Sequence, residues 1–316
     1  MLNKIPKVMN FYWEGDEFSY LHYLSLKSFV DLNPDWTTRM YTPKVVSTRP
    51  TDWATPEQKT PFTGENYFSK VKDLGVEIIT IDLDEFLGFD TSLIHRVQKS
   101  DLFRWKLLAE MGGGWSDSDI LYTKPLSALL THHAGPALGN FKTRDPDETT
   151  AVIPYYHSLH HTGGSVWGEP LALINQLVQP IGFFLASPES PYFKAIYDLL
   201  QSERRSSPQD GVEYQWYGIR LLERLHTSIS EILTTYPGTV NVGDYPFYAY
   251  HWDELNLLFD ELDDRCNHPD VIGIHWFNGA EAAVKFKNYL NEETINDEPS
   301  CTMHLLAQKA LLRNES

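Results

Sequence analysis

Positive charge is what this chain lacks most: 26 Lys and Arg stand against 43 Asp and Glu in 316 residues, a formal net charge of -17 with a pI near 5.0. Nucleic acid and anionic lipid repel such a chain at long range, so neither is expected as a partner. Cysteine is nearly missing too. Cys266 and Cys301 are the only two, too few for a disulfide framework or a thiolate metal site, which suits a reducing compartment. No stretch approaches ~18 uninterrupted apolar residues, and the opening residues carry no apolar segment of an export signal. A soluble, cytoplasmic protein with no integral membrane segment is expected, peripheral membrane attachment being the alternative. Heptads, internal repeats and excess glycine or proline are absent as well, which excludes coiled coils, solenoids and low-complexity chains.

What is present is apolar and aromatic. At 42% hydrophobic and 13% aromatic the chain has ample material for a packed core, and residues 1–316 read as a single domain. Residues 7–13 form a short aromatic-rich run bounded by Pro6 and by Glu14-Gly15-Asp16, the pattern of a buried first strand. Tyr20, Tyr23, Leu24, Leu26, Lys27 and Val30 recur at helical spacing until Asn33-Pro34 stops them, and residues 37–41 read as a second strand. Strand, helix, strand predicts a βαβ unit and a parallel sheet. Residues 42–61 contain four prolines and read as a long irregular excursion. Residues 66–74 resume a helical pattern, and the β-branched run 76–81 is expected to be another central strand.

The richest stretch is residues 100–126. A helix over about 92–111, projected at 100° per residue, gathers Lys99, Lys106 and Glu110 on a solvent face and sets Asp101 and Arg104 among Val97, Leu107, Leu108 and Met111. Opposite charges on an apolar face must be paired, ligand-bound or at a cleft rim, because burying either alone costs several kcal/mol. A structural ion pair satisfies this as well as a ligand-facing pair does. Gly112-Gly113-Gly114 ends the helix with a left-handed cap and a sharp turn; no Gly-Lys-Ser/Thr follows, so this is not a phosphate-cradling loop. Residues 115–122 then read as one strand, in which Asp117 and Asp119 share a face with Cβ atoms roughly 7 Å apart. Two carboxylates so placed repel, and a divalent cation relieves them; hard oxygen ligands favour Mg²⁺ or Mn²⁺ over zinc. The alternative is a turn with solvated aspartates.

Ser-Asp-x-x-Arg, then Gly-Gly-x-Trp-x-Asp-x-Asp and a downstream Pro-Leu, resembles the Asp-x-Asp region of sugar-transferring glycosyltransferases related to yeast initiating mannosyltransferases, bacterial capsular polysaccharide transferases and clostridial glucosylating toxins. Ile5-Pro6-Lys7-Val8-Met9-Asn10-Phe11-Tyr12-Trp13, with Asn33-Pro34-Asp35-Trp36 and Tyr41-Thr42-Pro43, is similar to the same family's first βαβ. The resemblance covers residues 4–43 and 95–126, with an echo at 271–280. It implies a GT-A fold, a Rossmann-like α/β domain with a mainly parallel sheet flanked by helices, whose residues 1–126 bind the nucleotide sugar and whose residues 127–316 face the acceptor. It also implies transfer of a hexose from a nucleotide sugar with retention of configuration. Carried over by position, Asp101 and Arg104 would hold donor-sugar hydroxyls, and Asp117 would contact the donor or the metal. Asp119 would ligate the metal, and Phe11, Tyr12 and Trp13 would lie against the nucleotide.

The rest of the chain is less patterned. His157 and His161 stand at i,i+4, but Pro154 and Gly163-Gly164 argue against a helix there, and a loop near the acceptor is expected in place of a metal pair. Strand 181–186, helix 190–200 and helix 213–225 follow from periodicity, the last with Trp216, Ile219, Leu222 and Leu225 as core. The resembling family often shows Gly-Pro where Gly218 precedes Ile219, so Gly218 receives no role. Residues 271–280 deliver His275, Trp276 and Asn278 to a glycine turn; His275 could supply a nitrogen ligand and Asn278 an amide oxygen. A core histidine is the other reading of His275. The helix at 299–313 is expected to pack on the domain, since its polar face is not strongly basic.

The function expected is a retaining, metal-dependent hexosyltransferase using Mn²⁺ or Mg²⁺, a UDP-sugar as favoured donor, and a glycan, lipid-linked or protein acceptor. Two other classes share these residues: a catalytically idle nucleotide-sugar or carbohydrate binding module, and a metal-dependent phosphoester hydrolase.

Overall fold

A computed structural model describes residues 4–47, 61–131, 148–154, 156–157, 177–206, 215–226 and 228–314. Strand β1 (Val8–Tyr12), helix α1 (Tyr20–Leu32) and strand β2 (Thr37–Pro43) form the expected βαβ unit, with β1 and β2 parallel. Ser19 opens α1 through a capping box: its hydroxyl accepts from His22 N–H, and His22 Nδ1 accepts from Ser19 N–H. Asn33 closes it, donating from both backbone and side chain to the Phe29 carbonyl. The Asn33 side-chain oxygen also accepts from Leu126 N–H at 2.8 Å, which ties the end of the Asp-x-Asp stretch to the first helix.

The central sheet also contains β3 (Glu77–Ile81), β4 (Gly113–Ser116), β6 (Ala151–Ile153), β7 (Phe183–Ala186) and β8 (Thr239–Asn241). Its order is β8-β6-β7-β4-β1-β2-β3, with β7 antiparallel to both its neighbours and every other pairing parallel. This is the mainly parallel α/β architecture expected. Alternation along the strands divides the core in two. Met9, Phe11, Met40, Val152, Phe183 and Leu185 face α1, whereas Tyr12, Tyr41, Ile153, Phe184 and Ala186 face helices α2 (Arg96–Glu110) and α3 (Pro191–Ser206). A second sheet pairs β5 (Ile120–Tyr122) with β9 (Gly273–His275), antiparallel. Helix α4 (Thr302–Leu311) packs beside α1 as expected, and Lys27 Nζ donates to the carbonyls of Ala310 and Leu311 at its end.

Four expectations change. Among the described residues, 76–81 form an edge strand, not a central one, because β3 pairs there with β2 alone. The helical pattern at 66–74 is a 3₁₀ helix, Phe68–Leu74. The stretch 115–122 is two strands in different sheets, since residues 117–119 turn the chain out of one and into the other. Lys99 is not on a solvent face: segments 13–15 and 44–47 cover the start of α2, and its ammonium pairs with Glu14 at 3.4 Å with both side chains 1% exposed. Glu14 also accepts from Tyr12 O–H and from Ser47 N–H, so the buried carboxylate is fully engaged. Part of the excursion at 42–61, and His132, His133, His160 and His161, lie outside the described residues; His157 falls in a two-residue strand paired with Leu177–Val178.

Gly112 makes the corner between α2 and β4. Its φ is +65°, and a Cβ there would sit 2.5 Å from Pro188 N and 2.6 Å from Ala186 O, backbone atoms that cannot move aside. Gly112→Ala is expected to lower stability by about 2 kcal/mol or more, measured as a shift in urea unfolding midpoint.

Candidate active site

The carboxyl end of β4 leads into the Asp117–Asp119 turn, held by Asp117 N–H donating to Gly182 O at 2.7 Å and Ile120 N–H to Asp117 O at 3.3 Å. The carboxyl end of β1 leads to Trp13 at the same edge of the parallel strands, the usual place for ligands in open α/β sheets. Antiparallel pairing of β9 with β5 places His275 opposite Ile120. Among the described residues, Asp117, Asp119 and His275 are the three side chains whose carboxylate or imidazole ligand atoms all lie within 4.8 Å of one another.

Each member is fixed by a neighbour. Asp119 lies 3.2 Å from His275 Nε2 through one oxygen, and its other oxygen accepts from Asn278 N–H at 2.9 Å. Asp117 Oδ1 accepts from Trp115 Nε1 at 2.8 Å and from Arg104 Nη2 at 3.2 Å. The same Nη2 lies 3.2 Å from Asp101, Nη1 donates to the Ile181 carbonyl, and the guanidinium rests over the Trp115 ring with its carbon 4.7 Å from the centroid. Asp101 and Arg104, on one face of α2 as the helical projection predicts, are therefore buried together and joined to the turn. Gly182 makes the floor. A Cβ there would meet Tyr248 Oη at 2.6 Å, His275 Cδ2 at 3.1 Å and Asp117 Oδ2 at 3.2 Å, so only glycine leaves this space open.

Burial opposes every charge in the group, and the partners decide which survive. Asp101 is pushed up to about 7 by burial, which outweighs the pull of Arg104. Burial also raises Asp117 against Arg104. For Asp119 burial is overcome by His275 and the Asn278 N–H, which bring it down to about 2; the same attraction raises His275 against its own desolvation. Three carboxylates thus crowd one guanidinium and one imidazole, and burial holds Asp101 and Asp117 above the usual carboxylate range; a divalent cation would favour their ionised forms. The donor set fits: two carboxylates with one imidazole suit Mn²⁺ or Mg²⁺ better than the thiolate-rich sets of structural zinc. His275 Nδ1 is buried without a hydrogen-bond partner among the described residues, so the polar contact that holds the ring at this site is that of its Nε2 with Asp119.

The other expected residues are placed differently. Phe11 is core, its ring 5.9 Å from Phe29, because strand alternation turns it under α1. Tyr12 is buried against Phe103 with its hydroxyl on Glu14. Of the three aromatics expected against a nucleotide, only Trp13 is partly open; it packs on His22, which in turn packs on Trp276. Asn278 does not turn its amide oxygen to the carboxylates, because that oxygen accepts from Lys287 Nζ at 2.8 Å; its backbone N–H holds Asp119 instead. Gly182, Tyr248 and Gly218 were not legible as site residues. Gly218 closes over Asp101, its would-be Cβ 3.0 Å from Asp101 Oδ2. The aromatic density of residues 244–252 was the one available signal for Tyr248. A groove lined by Val30, Trp36 and Leu74 lies at the start of β2, the opposite strand end, and holds none of these groups.

The chain is thus a mainly parallel α/β sheet flanked by helices, with a carboxylate-histidine group at the carboxyl end of β4. A family model for "Capsular polysaccharide synthesis protein" matches residues 80–201, a span that contains the whole Ser-Asp-x-x-Arg to Asp-x-Asp stretch. No curated protein matches the chain in sequence. Solved structures similar to it include the PaToxG glycosyltransferase, at 12% identity and TM-score 0.42 over 74% of this chain and 71% of that one. The galactosyltransferase LgtC, with donor and acceptor sugar analogs, has 13% identity and TM-score 0.41 over 91% of this chain and 98% of its own. The glycosyltransferase GlyE of Streptococcus pneumoniae TIGR4 has 12% identity and TM-score 0.44 over 98% of this chain, which spans 62% of GlyE.

Two pH effects follow. Unfolded, Asp101 ionises near 4, whereas folded it keeps its proton up to about 7. The folded state holds the extra proton in that window, so this group's contribution to stability falls as pH rises through it. Asp101→Asn is expected to flatten that fall, measured by urea unfolding across the window with chelator present. A cation must also displace the proton that Asp119 keeps on His275. Mn²⁺ affinity by calorimetry is expected to weaken as pH falls from about 8 to about 6, with proton release visible as a buffer-dependent heat.

Proposed function

We propose that the chain is a metal-dependent glycosyltransferase that moves a hexose from a nucleotide sugar, with UDP-sugars first among donors, to a carbohydrate, lipid-linked or protein acceptor with retention of configuration. The observation that carries this reading is the convergence of Asp117, Asp119 and His275 beside a buried Asp101–Arg104 pair that has hydrogen-bonding capacity left over. Both Asp101 oxygens and Arg104 Nε are buried without a hydrogen-bond partner. A structural ion pair would be expected to satisfy itself, since each unmet polar group costs about 1–3 kcal/mol. Sugar hydroxyls donate and accept, so they would complete both side chains.

In this reading Asp117, Asp119 and His275 hold a divalent cation, which supplies Lewis-acid stabilisation of the charge on the departing nucleoside diphosphate. Arg104 orients Asp117 and favours its ionised form against burial, while Asp101 and Arg104 fix the hexose so that its anomeric carbon faces the acceptor. Asn278 N–H keeps Asp119 ionised. Trp13 is the aromatic surface available to the base. The carboxylates of the turn are committed to Arg104, Trp115, His275 and Asn278, so we assign no covalent nucleophile and take the acceptor to attack from the face of departure. Residues 1–126 would then bind the donor, and residues 127–316 would add His275, Gly182 and the acceptor side.

The test is a panel of nucleotide sugars, following nucleoside diphosphate release with Mn²⁺ or Mg²⁺, with and without sugar acceptors. Release from at least one donor is expected, abolished by EDTA and reduced about 100-fold or more by Asp119→Ala. Binding without release from any donor would instead mark a binding module, and inorganic phosphate from simple esters would mark a hydrolase.

A further inference from the structure

Beyond the metal group, the site has a wall that the proposed donor contacts do not use. Where β9 ends the side chains point to opposite sides: Trp276 turns toward α1, with its ring 4.9 Å from His22 and its Nε1 on Ser25 Oγ, whereas His275 turns toward Tyr248, ring to ring at 4.9 Å. Phe277 follows on the His275 face. Its φ is +52°, a conformation that bulky side chains rarely adopt and that persists only where surrounding structure demands it. That backbone sets the Phe277 ring 4.3 Å from His275 and edge-on to Trp252 at 5.5 Å. Trp252 is 40% exposed. His251 precedes it in the chain and reaches Asp244 at 3.5 Å, both partly open to solvent.

We infer that Trp252 and Phe277 form the acceptor subsite and that the acceptor unit bound there is a pyranoside, whose apolar C–H face stacks on the indole while Asp244 and His251 meet its hydroxyls. The inference rests on the transferase reading and names its acceptor class. Three observations favour a sugar over the other occupants of this cleft. The nucleotide base has its aromatic surface at Trp13, which lies across β9 with His22 and Trp276, on the opposite face from Phe277. The donor hexose has Asp101 and Arg104, which join the metal group through Asp117 and not through His275. An exposed indole flanked by a carboxylate and an imidazole combines a flat apolar face with hydroxyl partners, the chemistry by which a hydrated, uncharged ring is recognised. The metal group stands between the two walls, one ring away from the platform, which is where an acceptor hydroxyl must arrive.

The test uses the full chain with Mg²⁺ and a fixed set of probes: methyl glycosides of glucose, galactose, mannose and N-acetylglucosamine, with lactose and maltose. Saturation-transfer NMR reports binding, and the indole N–H resonance of Trp252, assigned by its loss in Trp252→Phe, reports place. At least one glycoside is expected to bind and to shift that resonance. Trp252→Ala is expected to weaken it at least about fivefold, with Trp252→Phe in between and nucleotide-sugar affinity unchanged. Failure of every probe to bind, binding that leaves the Trp252 resonance in place, or equal affinity in Trp252→Ala overturns the inference; the resonance is read in the unaltered chain, with the conservative Trp252→Phe needed only to assign it. Donor turnover in the nucleotide-sugar panel without any Trp252 shift sinks this subsite alone. Glycoside binding at Trp252 without turnover sinks the transferase reading and leaves the subsite.

Discussion

The structure depends on one buried guanidinium. Arg104 is 3% exposed, and a charge at that depth is tolerable only if its surroundings answer it. Asp101 answers from the same helix, Asp117 from the turn after β4, the Ile181 carbonyl from the approach to β7, and the Trp115 ring lies against its face. Helix, turn and the segment before β7 are thereby fixed to one another at a point where backbone alone would leave a loop. Remove the charge and, of the contacts described, the Asp117 side chain keeps the Trp115 indole, while its backbone stays bonded to Gly182 O, Ile120 N–H and the Ser116 hydroxyl.

That arrangement explains which parts of the fold were legible. The period of α1, its Asn33-Pro34 stop and the first βαβ follow from local patterning, and all three are present. Asp101 and Arg104 were legible because helical geometry alone puts i and i+3 on one side. The two aspartates were paired for the wrong reason. A strand would have aligned them by alternation, whereas the chain turns between sheets, and they are gathered by bonds to Arg104, His275 and Asn278, contacts up to 159 residues distant in sequence. Lys99 and Phe11 failed for a related cause: what covers a helix face, or which side of a strand is interior, is decided by segments whose packing local periodicity does not encode. The edge position of residues 76–81 is of the same kind, since a β-branched run reads alike in the middle of a sheet and at its border.

The division into two halves also looks different once the sheet is traced. Strands β6, β7 and β8 come from the second half yet complete the sheet that β1 to β4 begin, with β7 seated directly against β4. Both halves therefore contribute to each of the two core layers, and the carboxylate-histidine group takes its carboxylates from the first and its imidazole from the second. Neither half holds the group alone. This suits a transfer site, because donor and acceptor must be brought to one point by elements rigid with respect to each other.

Strand β9 is the element that makes such sharing possible. His275, its last residue, turns into the site, and Trp276, directly after it, turns into the apolar layer under α1, so neighbouring residues arm the strand and anchor it. His22, held neutral by burial that lowers it to about 3, fills the space between Trp13 and Trp276 without adding a charge to the already crowded acidic group. A cation bound by Asp117, Asp119 and His275 would then meet negative charge on the α2 side and aromatic surface on both others. The electrostatic demand of a chain at -17 is concentrated where an anionic diphosphate could be admitted only in company with that cation. Metal and donor would accordingly be expected to bind as a pair, each raising the affinity for the other, because either alone leaves the local charge unbalanced.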